Sequence, residues 1–570
     1  MVCMQCGNTL PDTANVCSHC GASQQEERSN ENKPTTLSLL LAAAMFVLVI
    51  DTSLMNVSIS SVVRDLNTTV SGVQSAIALE ALVSAAFILV GSKIGDFIGR
   101  KKAYILGLLG YGLGAIAMTL TQNLLSIIIV WAIIGGLGAS LLLPAMQALI
   151  HGNFEDAARK KTYALVGAAA AIAAAIGPLF GGVITTFFSW RLGFALEALI
   201  IAIVLLRINL VNDVVYTGQK AIDKVGALLS AVAMGGIVLG ILIWQEGGER
   251  VFAFILVGVI AMFLFYYWIR RQKNQNKSPL IDPELFKSKL FTLGITQQMF
   301  QQITLGGLMI SIPIFLQMVL EYNSFQTGIS IAPLSLSMFA VALIAGKKAG
   351  KIRPSVLVRS GFLLSAIGIA SIIPIVPRAD LGISLLIPLL IVGTGLGLLV
   401  SQLNNITLSP ISGEHVSEAA GVNSAAGTFG LSFGLAAAGA LLLSMLAFQF
   451  NSLSEASTVL NPNQKEHVAK VLEEDAQVMS NTQLNELISS QPQKVKDEIV
   501  SINTKARNQA LQTALLVPLI AVLFGFVNSF RMTRLPDPKP AGEDPNYGTP
   551  PRPPAPQRDE DDRRDQTPPQ

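Results

Sequence analysis

Gly91-Ser-Lys-Ile-Gly-Asp-Phe-Ile-Gly-Arg-Lys-Lys102 is a short, basic, glycine-rich turn between two long apolar runs. One run, about Val73 to Val90, ends just before it, and another, about Ala103 to Leu120, starts just after it. Gly91, Gly95 and Gly99 recur every four residues. One helical edge therefore lacks side chains, and a neighbouring helix can approach closely. Asp96 sits within that edge, surrounded by Lys93, Arg100, Lys101 and Lys102. A lone acid among cations at a membrane surface can anchor a switchable ion-pair network.

The pattern around this turn extends along the whole chain. Of 570 residues, 51% are hydrophobic and 14% charged, with a mean hydropathy of +0.53. Soluble domains carry about a quarter charged residues, so a soluble globular protein is excluded. Fourteen apolar runs start near Leu37, Val73, Ala103, Leu124, Thr162, Gly193, Val225, Val251, Leu293, Thr327, Val356, Ile383, Val422 and Leu511. Each is about twenty residues long, enough to cross a bilayer as a helix. Backbone amides inside lipid need internal partners, so the runs are expected to be helices. The predicted fold class is an all-α polytopic membrane protein with 14 transmembrane helices and a small N-terminal zinc ribbon.

Charge placement orients the chain. Lys93 and Arg100–Lys102 lie between runs 2 and 3, Arg159–Lys161 between 4 and 5, and Arg207, Lys220 and Lys224 between 6 and 7. Arg270, Arg271, Lys273, Lys277, Lys287 and Lys289 lie between 8 and 9, and Lys347, Lys348, Lys351 and Arg353 follow run 10. The alternate short loops hold only Arg64, Arg191, Arg250 and Arg378. The positive-inside rule places the cation-rich loops and both termini in the cytoplasm of a multi-pass cell-membrane protein. The polar first 36 residues show no cleavable signal peptide.

All four cysteines fall at the start, as Cys3-Met-Gln-Cys6-Gly7 and Cys17-Ser-His-Cys20-Gly21. Two such knuckles read as a four-thiolate site for structural Zn²⁺; the alternative is two disulfides, against which cytoplasmic placement argues. The ribbon is assigned to residues 1–21 and a polar linker to 22–36. A protein partner could dock on the ribbon. Asn451 to Asn508 is a long polar segment on the outer side with helix-forming stretches at about Asn463–Val478 and Gln493–Thr504, read either as a helical hairpin over the exit mouth or as a solvated loop. The proline-rich tail, 535–570, is expected to be disordered.

Several polar residues interrupt the apolar runs. Asp51 lies near the middle of run 1, where a carboxylate is costly unless it faces a cavity or a partner. It suits a reversible proton carrier or a cation ligand, with Ser53 and Asn56 placed to hydrogen-bond it. Glu80 in run 2 and Glu197 in run 6 are read either as supplements to Asp51 or as solvated mouth residues. No acid interrupts runs 9 to 13, which carry amides instead. Gln297, Gln298, Gln301 and Gln302 lie on adjoining helical stripes and could line a polar cavity or bond between helices. Pro178 in run 5 loosens its helix, and Gly177, Gly181 and Gly182 allow tight packing. No convergent nucleophile–base set is visible and only four histidines are present, so an enzyme is not expected.

The turn at Gly91–Lys102 resembles the signature loop between spans 2 and 3 of the major facilitator superfamily. Asp51-Thr-Ser-Leu-Met-Asn56-Val57 resembles the span 1 signature of its drug:proton antiporters, with Ser53 in place of a threonine and Ser60 in place of the closing proline. Gly177-Pro178-Leu-Phe-Gly181-Gly182 resembles the antiporter motif of span 5, with Ala173 at its leading glycine; Trp190-Arg191 after it also fits. Ala132 stands where the family carries an arginine in span 4, and Gly346-Lys-Lys-Ala-Gly350-Lys351 is an echo of the opening motif without its acid.

The resemblance covers about 37–531 and is to the fourteen-span branch. It implies a six-helix bundle over 37–211, two inserted helices over 222–271, and a second six-helix bundle over 290–531 that includes the outer loop 451–508. It further implies multidrug efflux by a monomeric proton antiporter driven by the proton gradient. Asp51, Asn56, Glu80, Glu197, Gln297 and Gln301 would serve the proton and substrate cavity. Gly91, Gly95, Asp96, Gly99, Arg100, Gly177, Pro178, Gly181 and Gly182 would serve gating. Partners are membrane lipids and a small substrate, with no nucleic acid. The amide-lined second half points to lipophilic monocations, zwitterions or neutral amphiphiles. Alternatives are export of an endogenous lipid or metabolite, and a non-transporting sensor or scaffold.

Overall fold

A computed structural model describes residues 24–535 apart from 155, 214–222, 246–250, 348–351, 412–415 and most of 462–490. Fourteen long helices run through the described residues. They are α1 Gln24–Leu66, α2 Val70–Ile98, α3 Arg100–Leu120, α4 Leu124–Ile150, α5 Asp156–Phe187, α6 Trp190–Leu206 and α7 Lys224–Gln245. They continue as α8 Val251–Asn274, α9 Lys289–Val319, α10 Ser324–Lys347, α11 Pro354–Ile375, α12 Leu386–Leu408, α13 Val416–Ala456 and α14 Gln493–Thr533. Thirteen of them are long and apolar enough to cross a membrane. The other, α6, has 17 residues, or about 26 Å of helix at 1.5 Å per residue, the short end of the spanning range.

The helices sort into two bundles. In the first, α1 packs on α5 and α6, α2 on α4, and α3 on α4 and α6. In the second, α9 packs on α13 and α14, α11 on α12 and α14, and α10 on α12. The bundles meet along two seams, α2 against α13 and α5 against α10. Helices α7 and α8 pair with each other, and α7 leans on α2 and α13. Asp223 anchors this pair: its carboxylate accepts from Gly226 N at the start of α7 (2.8 Å) and from Trp268 Nε1 of α8 (2.9 Å).

Helix α1 begins at Gln24, within the polar segment 22–36 assigned as the linker. The helix-forming stretch Gln493–Thr504 of the outer segment is part of a helix that runs on into the last apolar run. Gln493–Ala514 forms one helix with Val495, Ile499, Ile502, Ala506 and Ala510 on its buried face, the spacing of an amphipathic helix. Ser457 at the end of α13 donates to Glu498 Oε1 on it (2.6 Å). The chain then breaks at Leu515, because Pro518 has no N–H for the carbonyl four residues earlier. The ribbon, the first arm of the outer segment (Asn463–Val478) and the tail beyond Leu535 fall wholly or almost wholly outside the described residues.

The glycines of α5 have two separate jobs. Gly177 and Gly181 pack on α1: a Cβ on Gly181 would lie 2.9 Å from Leu54 Cα, and one on Gly177 would lie 2.5 Å from Ser53 Cβ. Gly182 faces the other bundle, where a Cβ would lie 2.5 Å from the Ser324 carbonyl oxygen of α10. A Gly181→Val substitution is therefore expected to cost about 1–3 kcal/mol through overpacking. Gly167→Val, with nothing within 4 Å of its Cβ position, is the control on the same helix. Thermal melting of the two purified variants checks this, with only Gly181→Val melting earlier than the parent.

Candidate functional site

The site is built on the α3–α4 contact. Gly107 and Gly110 of α3 meet Gly138 of α4 so closely that a Cβ on Gly138 would lie 2.5 Å from Tyr111 N. This approach brings Tyr111 of α3 and Trp131 of α4 together above α1. Both donate to Asp51: the Tyr111 hydroxyl to Oδ2, and Trp131 Nε1 to Oδ2 at 2.9 Å and Oδ1 at 3.2 Å. Asp51 is 1% exposed, and Trp131 and Tyr111 are also buried. Trp131, a neutral donor, lies one residue before Ala132, the position where the family resemblance has an arginine.

Asp51 does not contact Ser53 or Asn56, contrary to the sequence expectation. Ser53 Oγ donates to Val49 O (3.3 Å), and Asn56 Nδ2 donates to Thr52 O (2.8 Å). The reason is helical geometry: at about 100° per residue, Ser53 lies roughly 200° around α1 from Asp51. Asp51 faces the interior of its own bundle, while Ser53 and Asn56 face the seam between bundles.

Glu80 and Glu197 are both buried, at 8% and 3% exposure, which removes the solvated-mouth reading. Both lie within electrostatic reach of Tyr111, as Asp51 does. Neither carboxylate oxygen of Glu197 has a hydrogen-bond partner among the described residues. Phe194, one turn before Glu197, stacks edge-on against Trp131 and Trp190. This aromatic series runs from Asp51 toward the loop end of α6. There Trp190 Nε1 donates to Asp65 Oδ2 (3.0 Å), Arg191 pairs with Asp65, and Arg191 also donates to Thr121 O (2.7 Å).

On the seam side of α1 lies a small cavity of about 30 Å³ between the bundles, room for about one water. Ser53, Asn56 and Val57 of α1 and Pro178 of α5 line one wall, and α9, α10 and α12 the other. The predicted amides are not part of it. Gln297 turns into the second bundle and donates to Gly525 O of α14 (3.0 Å), and Gln301 is buried on the same stripe.

Toward the ends of α1 and α9 the seam is closed by Gln317, which sequence reasoning missed. Its side chain accepts from Ser60 N (3.1 Å) and donates to Val57 O (3.0 Å). Phe325 N donates to Thr186 Oγ1 (3.0 Å) on the same side. The family's proline at position 60 would have no N–H for this bond, so the departure at Ser60 carries one of the two hydrogen bonds of the bridge. At the opposite end Asp96 pairs with Arg100 of α3. Gly99 takes φ +105°, which only glycine adopts easily, and Asp213 Oδ1 accepts from Lys101 N (3.0 Å). Gly91 meets the Ser140 carbonyl of α4, and Gly95 makes ordinary contact with Ala103 and Arg100.

Two helical bundles meeting over a cavity, with a buried acid on a helix lining it, are the architecture of a membrane transporter. The chain belongs to the Major Facilitator Superfamily, whose family model matches residues 41–218 and 215–435. A zinc-ribbon domain matches residues 2–24, which include Cys3, Cys6, Cys17 and Cys20; these lie outside the described residues. The chain is 26% identical to puromycin resistance protein pur8 of Streptomyces alboniger over 70% of its length and 80% of the relative's. It is 25% identical to multidrug resistance protein Stp of Mycobacterium tuberculosis (78% and 82% covered) and 24% identical to multidrug export protein EmrB of Escherichia coli (77% and 86%). Among solved structures, a bacterial homologue of the human lysosomal transporter Spinster, inward-facing and unoccupied, superposes with a TM-score of 0.58 at 13% identity, covering 88% of this chain and 98% of that one.

Removing either side of the Gln317 bridge is expected to open that end of the seam. In Ser60→Pro and Gln317→Leu, spin labels placed on α5 and α10 near Thr186 and Phe325 should show a longer-distance population. Combining the two changes should add little to Gln317→Leu alone, because that change already removes both hydrogen bonds of the bridge. An unchanged distance distribution in both variants would remove Gln317 from the account of closure.

Proposed function

We propose that this protein exports small lipophilic molecules in exchange for protons, by alternating access of the inter-bundle cavity. The observation that carries the proposal is Asp51, a buried carboxylate held by two neutral donors on the helix whose other face lines that cavity. Its relatives' names, which speak of puromycin resistance and multidrug export, support the export reading.

In this reading Asp51 is the coupling acid. Ionised, it holds Tyr111 and Trp131 against α1 through charge-assisted bonds. Protonated, it exchanges an acceptor for a donor and loosens that clamp, so α1 can shift relative to α3 and α4. A shift of α1 moves Ser53 and Asn56 at the cavity and Val57 and Ser60 at the Gln317 bridge together. Protonation from outside favours release there, and deprotonation inside resets the carrier. Glu80 and Glu197 serve the same cluster as further proton-holding groups, while Gly91, Gly95, Asp96, Gly99 and Arg100 serve the gate at the cytoplasmic end.

In proteoliposomes, Asp51→Asn is expected to lose proton-driven export while leaving downhill substrate exchange in place. Trp131→Phe, which removes one donor but keeps an aromatic ring, should reduce proton-driven export by about tenfold. Full proton-driven export by Asp51→Asn would remove Asp51 as the coupling acid.

The four N-terminal thiolates suit a closed, structural Zn²⁺ site held by Cys3, Cys6, Cys17 and Cys20. The metal would fold the ribbon, leaving its surface for a protein partner. Elemental analysis of the full-length protein should give one zinc per chain, lost in Cys3→Ser/Cys6→Ser. Export by the chain lacking residues 1–23 would make the ribbon accessory to transport, and absence of transport under any gradient in the intact chain would favour a sensor.

A further inference from the structure

We infer that Arg507 is a positioning residue for the seam: by holding the Met318 carbonyl it fixes the turn of α9 from which Gln317 reaches across to α1. Control of closure at this end does not depend on what the protein carries.

Gln317 is 7% exposed and lies in the last turn of α9. That turn, Phe315–Val319, is wound as a π-helix, with Leu320 N donating to the Phe315 carbonyl five residues back (3.2 Å). Such turns are rare and are found mostly at functional sites. A helix turns by about 100° per residue, so the extra residue of the π-turn sets where the Gln317 side chain points. Just beyond it the chain turns away at Glu321, with φ +55°, a left-handed conformation uncommon outside glycine.

The winding leaves the Met318 carbonyl to be satisfied from elsewhere. The amide four residues on, Tyr322 N, donates to Leu316 O (2.9 Å), and the amide five residues on, Asn323 N, donates to Gln326 Oε1 (3.0 Å). Arg507 Nη1 donates to Met318 O at 2.8 Å, from a segment 189 positions along the chain. Arg507 is 5% exposed and lies within electrostatic reach of Glu321. A cation at the carbonyl end of a helix is also favoured by the helix dipole, and a bond from a charged donor is stronger than one from a neutral donor.

Arg507 belongs to the amphipathic part of α14, Gln493–Ala514, which lies across the second bundle as a strap. Glu498 accepts from Ser457 after α13 (2.6 Å), Arg507 holds the end of α9, and Gln512 Nε2 donates to Ile373 O of α11 (2.8 Å). Of these three attachments, the middle one adjoins the residue that reaches the first bundle. The seat of the strap on its own bundle is thereby tied to the bonds of Gln317 with Ser60 N and Val57 O. Without the guanidinium the turn can rewind as α-helix, and Gln317 swings off α1.

Electron–electron distance measurements on the full-length protein in lipid nanodiscs test this, with spin labels on α5 and α10 near Thr186 and Phe325. Arg507→Met keeps the apolar stem and removes the guanidinium. It is expected to give the longer-distance population of Gln317→Leu to the same extent, and Arg507→Met/Gln317→Leu should open no further than Gln317→Leu alone. Gln512→Leu removes a neighbouring attachment of the strap that touches no part of the bridge. It should keep the wild-type distances, whatever it does to the melting temperature. If Arg507→Met does not fold, Arg507→Gln, whose amide is too short to reach Met318, is read in its place. Opening in Gln317→Leu with wild-type distances in the Arg507 variant would overturn the inference. So would equal opening in Gln512→Leu, which would make the effect a general loosening of the strap. Unchanged distances in Gln317→Leu would remove the bridge and the role of Arg507 with it.

Discussion

A carboxylate inside a membrane protein must either be held by donors or carry a proton, and the position of Asp51 organises the first bundle around that requirement. The donors come from α3 and α4, which can bring Tyr111 and Trp131 to the same oxygen only because Gly107, Gly110 and Gly138 let the two backbones approach. Once Asp51 is satisfied from that side, the rotation of α1 is set. Ser53 and Asn56 are then obliged to face the other bundle, and the cavity they line is free of charge. One buried acid thus sets both the packing of the bundle interior and the character of the space next to it.

Within the first bundle, glycine faces and the hydrogen-bonded Asp51 cluster hold α1, α3, α4 and α5 together. Glycine also lets the bundles approach across the seam, at Gly182 against α10. The hydrogen bonds across the seams are few: Gln317 reaches two backbone groups of α1, Thr186 accepts from one amide of α10, and Ser432 of α13 donates to Ala78 O of α2. Such bonds contribute about 1 kcal/mol each, so breaking and remaking them is within reach of the rocking that the proposed alternating access calls for.

The helices themselves were legible because lipid demands long apolar runs and satisfied backbones. The Gly91–Lys102 turn and the Gly177–Gly182 stretch stood out because glycine and proline act on the backbone, which sequence spacing reports directly. The rotation of each helix about its axis was not legible. Apolar periodicity is weak where lipid and protein interior are equally apolar, so nothing in the sequence said that Asp51 and Asn56 point to different sides. For the same reason nothing in the sequence marked Trp131 and Tyr111 as donors to Asp51. Gln317 and Asp213 act on backbone atoms of distant segments, a relation that local sequence does not encode. The helix-forming stretch Gln493–Thr504 was legible as such, but not that it joins the last membrane run directly, because its polar average hides the apolar stripe that docks it on the second bundle.

The central claim is that proton and substrate occupy opposite faces of α1, coupled by movement of that helix and not by competition for one residue. Substrate affinity of Asp51→Asn, measured at equilibrium with no gradient, tests it most directly. The account predicts affinity within a few-fold of wild type (a few-fold being under about 1 kcal/mol). Loss of binding in Asp51→Asn would place the carboxylate in the substrate site and contradict the account.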